Sequence, residues 1–295
     1  MSKFLTFFLA ALFASSAVQA APIRVVDDAG REVVLDKPAR RIVSLAPSTT
    51  ELIYAAGAGR YVVGTSRYTD WPPEAMAVPQ VGDASMINME RIVSLAPDLI
   101  VVWSHVDSAA VVEKLKVLGI PVYYSEPRAI DEIAGSLADF GALAGTDADA
   151  ARAIAALRAR RDELAKRYAG RAPIRVFYQV WERPLMTVNG RQMISDAIAL
   201  CGGTNVFGDL APTVPTVSRE AVVAANPDVI VTYNEEGQDG LAGWKALATL
   251  NATRWGNLVP LATPTLGRPS PRFLDGAENL CVEFDRARER REAAK

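Results

Sequence analysis

The side chains best placed to do chemistry in this 295-residue chain are aromatics and a few polar residues at the ends of short apolar runs. Tyr68, Asp70 and Trp71 follow one such run, Trp103 and His105 a second, Trp181 a third, and Tyr233 with Asn234 a fourth. Arg268 stands in a stretch stiffened by Pro269 and Pro271. Flat rings with a polar rim suit a large planar ligand, and a rigid arginine suits a carboxylate or phosphate. Catalytic groupings are missing from the sequence. It has no Gly-x-Ser-x-Gly elbow and no phosphate loop, and its single histidine, His105, has no partner motif. His105 reads as a surface or cleft-edge residue, with a haem or cobalt ligand as the sharper alternative. Gly57 and Gly59 begin like a dinucleotide loop, but Val62 stands where the third glycine belongs, so Gly57 reads as a helix end. Two cysteines and one histidine do not make a structural zinc site. No catalytic or metal-ligating set is expected.

These rings sit in a chain that repeats itself. Residues 90–103 and 220–233 each run from a glutamate through a short apolar helical turn, a Pro-Asp break and a buried strand to an aromatic. The offset is 130 positions, so Trp103 is equivalent to Tyr233 and Glu90 to Glu220. Two copies at that distance predict two similar lobes with a cleft between them. Ligands of open α/β sheets sit outside the carboxyl ends of the strands, which is where the aromatics fall. Ordinary packing at a sheet's end is the competing reading, and it competes most closely at Trp181. Either glutamate alone is an acid in the first turn of a helix, where the dipole favours it. Two equivalent ones could pair with arginines on a symmetric partner.

The positioning elements follow from hydrophobic patterning. A β-hairpin is expected over about 23–35, around a turn with Gly30. Strands are expected over 41–45, 61–63, 99–102 and 121–124, and helices over 51–56, 90–95, 111–118 and 130–144, with Thr49 or Thr50 capping the first. The second half alternates in the same way, with strands over 175–178, 229–232 and 258–261 and helices over 193–200, 220–225, 244–250 and 273–291. Such alternation predicts mainly parallel sheets. Between the halves, residues 146–170 read as one helix: Thr146 can cap it, acids crowd its start, bases its end, and Gly170 follows. About 22 residues give a rod of roughly 33 Å, with a narrow apolar stripe of Ile154, Leu157 and Leu164. The expected fold is α/β: lobes over 21–145 and 171–295, joined by one long rigid helix over 146–170, with the ligand cleft between them.

Residues 1–20 carry Lys3, then a mainly apolar stretch ending in small residues. They read as a secretory signal removed after Ala20, too short to span a bilayer, with a retained anchor as the alternative. No cysteine follows the cleavage point to carry a lipid. The formal charge of −2 becomes −3 without Lys3, which gives no basis for nucleic-acid binding. An exported, monomeric protein with no direct membrane anchor is expected. In an oxidising compartment the pair Cys201 and Cys281 reads as a disulfide, with two separate buried thiols as the alternative.

Residues 41–51, with Arg41, Pro47 and Glu51, and residues 88–100, with Asn88, Glu90, Pro97 and Asp98, resemble the ABC-importer solute-binding proteins that have a single helix between lobes. That group binds cobalamin, ferric siderophores or haem. Residues 68–73, 99–103, 201–207, 217–220 and 270–272, together with Cys281, are similar to its cobalamin-binding branch, over nearly the whole mature chain. The resemblance implies a periplasmic, non-enzymatic protein that delivers a corrinoid as cargo, without a cofactor, to a dimeric inner-membrane permease. It implies that Glu90 and Glu220 dock onto permease arginines, that Tyr68, Trp103 and Arg268 line the ligand site, and that Cys201 pairs with Cys281. The chain departs from the branch in its N-terminal hairpin, and in small or β-branched residues near 83–85 and 212–215 where further tryptophans are expected. A ferric-siderophore or haem receptor is the alternative within the fold. An exported enzyme would need a nucleophile with a base, or a metal cluster.

Overall fold

The computed structural model describes residues 21–82, 86–103, 113, 115, 117, 119–233, 239–262 and 264–294. The expected signal segment 1–20, His105, Asn234, residues 83–85 and most of the helix expected over 111–118 lie outside the described residues.

The chain opens with the hairpin of β1 (Ile23–Val26) and β2 (Glu32–Leu35), paired antiparallel. The Asp27 carboxylate accepts the amides of Ala29 and Arg31 at 3.0 and 2.9 Å, and Gly30 supplies the positive φ of 74° that the turn needs. A parallel sheet follows with strand order β4-β3-β5-β6, formed by β3 (Ile42–Ser44), β4 (Val62–Thr65), β5 (Leu99–Trp103) and β6 (Val122–Ser125). The second parallel sheet has order β8-β7-β9-β10, formed by β7 (Ile174–Gln179), β8 (Gly203–Asn205), β9 (Val229–Tyr233) and β10 (Leu258–Leu261). Taken in chain order, the two sheets have one topology, so the two lobes are of like build.

The sequence repeat is a repeated set of contacts. Helix α1 (Pro47–Ala55) follows β3, and the short α2 (Met89–Ser94) leads into β5. In the first copy Asn88 caps α2 by accepting the amide of Arg91. The chain then turns at Ala96, with φ 43°, before Pro97. The Asp98 carboxylate accepts the amides of Arg40 and Arg41 at 2.8 and 2.9 Å, and the Arg41 side chain donates to the carbonyl of Leu95 at 2.7 Å. In the second copy Ser218 caps α6 (Arg219–Ala225; α3 to α5 are placed below) and Asn226 turns at φ 42°. Asp228 accepts the Arg175 amide at 2.9 Å, and Arg175 donates to the Ala225 carbonyl at 2.8 Å. Each aspartate ties the start of one central strand to the start of the next, and each arginine satisfies an orphan carbonyl at a helix end.

Helix α3 (Ile130–Ala144) closes the first lobe, and α4 (Asp147–Tyr168) links the two. The linking helix is 22 residues long and falls within the expected 146–170. Thr146 does not cap it; its hydroxyl donates to the Ala56 carbonyl at 2.7 Å and ties the linker to the end of α1. Leu157, Leu164 and Tyr168 are buried in a core that holds residues of both lobes, and Ile154 packs against it. The opposite face is polar. Arg160, flanking the apolar stripe, pairs with Asp275 and Glu278 of the last helix, α9 (Phe273–Ala293).

Three further expectations change. Helix α1 begins at Pro47, whose fixed φ and missing N–H fit the first helical position, so Thr49 and Thr50 lie inside the helix and donate to the Ala46 carbonyl at 2.9 and 3.0 Å. Strand β8, at the edge of the second sheet, carries only a Gly-Thr-Asn sequence and has no β-branched run to announce it. In place of one helix over 244–250 there are two short ones, α7 (Ala242–Lys245) and α8 (Asn251–Arg254). Trp244 is buried here, with its indole donating to the Gln179 side chain at 2.7 Å.

Cys201, just past α5 (Met193–Leu200), is disulfide-bonded to Cys281 in α9, across a sequence separation of 80. Both lie in the core of the second lobe. Exchanging both for alanine is expected to lower unfolding stability by about 2–5 kcal/mol, read as a lower urea midpoint with unchanged far-UV circular dichroism. An unchanged midpoint would show that packing alone holds α5 against α9.

Candidate functional site

A cavity of about 800 Å³ opens between the lobes. Its walls are the loops that leave the carboxyl ends of the strands. From the first lobe come Trp103, at the end of β5, and the segment 126–128 beyond β6. From the second come Tyr178 on β7, Tyr233 at the end of β9, and residues of the 264–269 segment beyond β10. Met186, Val188, Met193 and Ile194 add a broad apolar surface. Trp103 and Tyr233 occupy equivalent positions and are each 38% exposed, so both rings offer area to a ligand. Burial pushes the Tyr178 phenol well above its usual range, so it stays a neutral hydroxyl in an apolar wall. Such a lining suits a large, mostly apolar body with a few polar contacts.

A second cluster, beside this cavity, joins the lobes directly. Glu51 of α1 has a side chain only 2% exposed. Its carboxylate accepts from Ser270 Oγ at 2.5 Å and from Arg268 Nη1 and Arg272 Nη1, each at 3.1 Å. Arg268 also grips Asp70 with both terminal nitrogens, and the guanidinium of Arg272 lies 4.6 Å from the centroid of the Trp71 ring. Arg268 is thus held by two carboxylates of the first lobe, while its neighbours Gly267 and Pro269 line the cavity. The Arg268 hydrogen bond holds the Asp70 carboxyl below its ordinary range, against a smaller opposing effect of burial.

The expected site residues therefore fall into three sets. Trp103 and Tyr233 line the cavity. Asp70, Trp71 and Arg268 come together in the inter-lobe cluster. Tyr68 stands two residues from Asp70, 69% exposed with a left-handed φ of 67°, and is not part of the cavity wall. Trp181 is 60% exposed, with its indole donating to the Arg183 carbonyl at 2.9 Å, and its neighbour Val180 lines the cavity instead. Sequence reasoning passed over Glu51, because a glutamate in an early helical turn already has a local explanation. It also passed over Met186 and Met193, which carry no motif. Glu90 and Glu220 do not line the cavity; both are exposed in the first turns of α2 and α6.

Residues 42–263 match the periplasmic binding protein family. The chain belongs to that family. It is 37% identical to the vitamin B12-binding protein of Vibrio cholerae over 246 residues, which is 83% of this chain and 89% of that one. The crystal structure of the periplasmic vitamin B12 binding protein of Vibrio cholerae superposes with a TM-score of 0.75 at 36% identity, covering 85% of this chain and 98% of that one. The periplasmic heme-binding protein RhuT of Roseiflexus sp. RS-1 matches with a TM-score of 0.72 at 26% identity, over 84% and 99% of the two chains. These relatives are binding proteins, and the expectation that this chain is not an enzyme rests on that family membership.

Removing the carboxylate of Glu51 takes a partner from two half-buried guanidiniums and from the buried Ser270 hydroxyl. Glu51→Ala is expected to cost roughly 3–5 kcal/mol of stability, measured by urea unfolding. Asp70 gives the cluster an acid limit. A depressed carboxyl contributes stability that is present above the unfolded pKa, near 3.9, and is lost as pH falls through the lower folded value. Stability should therefore be insensitive to Asp70 from about pH 5 to 8 and decline below about pH 4. Asp70→Asn should flatten part of that decline, and superimposable acid limbs for the two proteins would rule the contribution out.

Proposed function

We propose that this protein captures cobalamin or a related corrinoid between its lobes and delivers it to a dimeric inner-membrane ABC importer. Residues 21–145 and 171–295 form the two gripping units, and the 146–170 helix sets their spacing. The chain is exported, loses residues 1–20 after Ala20, and acts as a monomer without a cofactor. The ligand is cargo, and no bond in it is made or broken.

The observation that carries this reading is the pair Trp103 and Tyr233, set at matching strand ends on an inter-lobe cavity of about 800 Å³. Two rings from opposite lobes offer flat area to a planar macrocycle, and the aliphatic and methionine wall takes its apolar periphery. Tyr68, Asp70, Trp71, Trp181 and Arg268 are proposed to meet the parts of the ligand that project from the cavity. Identity to vitamin B12-binding relatives over most of both chains supports a corrinoid over other flat chelates. Docking is assigned to Glu90 and Glu220. They are equivalent under the repeat, both exposed, and each follows a capped helix start. Hydrogen bonds from the Glu220 backbone and from Ser218 hold the Glu220 carboxyl below its usual range, so it meets a partner ionised.

Calorimetry with cyanocobalamin and, separately, haemin tests the ligand. Cyanocobalamin should bind and haemin should not; the reverse result assigns the cavity to haem. Trp103→Ala and Tyr233→Ala should each weaken corrinoid binding by about tenfold, equivalent to about 1.4 kcal/mol, with melting temperature little changed. Unaltered affinity in both variants would return the two rings to packing. The double exchange of Glu90 and Glu220 to alanine should abolish uptake by the importer reconstituted in vesicles, while corrinoid affinity stays that of the unmodified protein. Normal uptake by that variant refutes the docking role.

A further inference from the structure

Strand β6 is the outer strand of the first sheet and, among the described residues, pairs with β5 alone. The backbone groups on its open side need partners, as at any sheet edge. The turn of the N-terminal hairpin supplies them. The Asp28 amide donates to the Tyr124 carbonyl at 3.0 Å, and the Tyr124 amide donates to Asp27 Oδ2 at 3.2 Å. The Glu126 amide donates to Asp28 Oδ2 at 2.5 Å. Arg31, paired with Asp27 at 2.6 Å, lies over the Tyr124 ring at 3.0 Å from its centroid. Two carboxylates and one amide thus take the place of a further strand. Beyond these contacts the chain runs directly into Glu126, Pro127 and Arg128, which line the cavity. Arg128 also borders a smaller polar pocket of about 500 Å³, opposite Arg191 of the second lobe.

Nothing in the repeat calls for this arrangement. In the second half, what precedes the first strand β7 is the linking helix, not a hairpin. The hairpin also lies ahead of residue 42, where the match to the family begins. It lies outside the matched segment, and it touches the first lobe at the base of a ligand wall.

We propose that the hairpin turn is a positioning device for the ligand site, in which Asp28, through the Glu126 amide, fixes the 126–128 wall and so sets how tightly the corrinoid is held. The inference rests on the ligand reading given above. Asp27 and Asp28 divide the work. Asp27 holds the turn together through the amides of Ala29 and Arg31 and the Arg31 guanidinium. The Asp28 carboxylate reaches out of the hairpin to Glu126. Asp28 is therefore the residue whose loss loosens the wall while leaving the turn's own bonds in place.

The test compares Asp28→Ala, which removes the acceptor, with Asp28→Asn, whose amide oxygen can accept the same bond. Cyanocobalamin affinity should fall roughly fivefold in Asp28→Ala, the scale of one typical hydrogen bond, and stay within about twofold of the unmodified protein in Asp28→Asn. Hydrogen exchange at the Glu126 amide should be slow in the unmodified protein and in Asp28→Asn, and fast in Asp28→Ala. A hairpin that only covers a sheet edge gives a different result: a lower melting temperature in Asp28→Ala with unchanged affinity, which overturns the proposal. Equal weakening in both variants overturns it as well, because charge and not the hydrogen bond would then be at work. Should Asp28→Ala fail to fold, rapid exchange at Glu126 in the unmodified protein is sufficient to reject the brace. A protein that binds no corrinoid at all refutes the ligand reading; the brace is then judged by exchange at Glu126, which needs no ligand.

Discussion

One carboxylate holds the two lobes in register. Glu51 is almost wholly removed from water, and a charge there is tolerable only because three donors converge on it. All three, Arg268, Ser270 and Arg272, come from one short segment at the start of α9, whereas Glu51 belongs to α1 of the other lobe. The bond pattern therefore fixes where the 264–272 segment lies, and with it one wall of the cavity. Asp70 and Trp71 extend the grip by taking the remaining faces of Arg268 and Arg272. Among the described residues the lobes are joined by the linking helix, whose apolar stripe enters a core shared by both, by this cluster, and by the Ile130 amide, which donates to Asp196 at 3.3 Å. A cleft held in this way is largely formed before a ligand arrives, which reduces the ordering that binding must accomplish.

The two halves are alike where the fold needs them to be and differ where the ligand is met. The Asp98 and Arg41 contacts recur at Asp228 and Arg175, down to the left-handed residue before each proline. These bonds set the central strands and thus the heights of Trp103 and Tyr233. The outer strands follow another rule. The wall after β6 is tied to Asp28 of the hairpin, and the wall after β10 is tied to Glu51. Both anchors come from the first lobe. The Asp28 brace has no counterpart under the repeat, whereas the Glu51 contact has one in Asp196 of α5, which accepts the Ile130 amide at the start of α3 at 3.3 Å. The symmetric contacts make a cleft with two rings, and the asymmetric ones give its sides different shapes. A ligand with unlike faces can be oriented by such a site, as a symmetric one could not do.

Local pattern made much of this legible. Alternating strands and helices, the charge-graded linking helix, and the repeated segment from glutamate to aromatic all depend on neighbours in sequence, and all are found. The failures have a common cause. Thr49, Thr50 and Thr146 have the right chemistry for caps, but Pro47 starts α1 earlier and the Thr146 hydroxyl turns to the Ala56 carbonyl. Glu51 meets Arg268 across 217 positions, a distance at which no periodicity leaves a trace. Met186 and Val188 reach the cavity because their segment folds back on β7, with Thr187 donating to the Tyr178 carbonyl. A single unaligned sequence reports which residues could act, and the tertiary contacts decide which of them meet.

The direction of the short helices bears on how a partner would engage. The carboxyl end of α2 is fixed at the start of β3, because Arg41 there donates to the Leu95 carbonyl. The helix therefore runs back along the sheet, against β5, and its first turn with Glu90 points toward the strand ends that carry Trp103. The same holds for α6, where Arg175 at the start of the second sheet holds the Ala225 carbonyl and Glu220 faces toward the Tyr233 end. Both proposed docking residues thus lie toward the side on which the cavity opens, one on each lobe. A symmetric partner that paired with both would sit over the mouth of the cleft. Its grip would act on α2 and α6, which the aspartate and arginine contacts couple to the strands beneath the two rings. Any change in the separation of Glu90 and Glu220 would be passed to Trp103 and Tyr233, and the bonds resisting it would be those around Glu51.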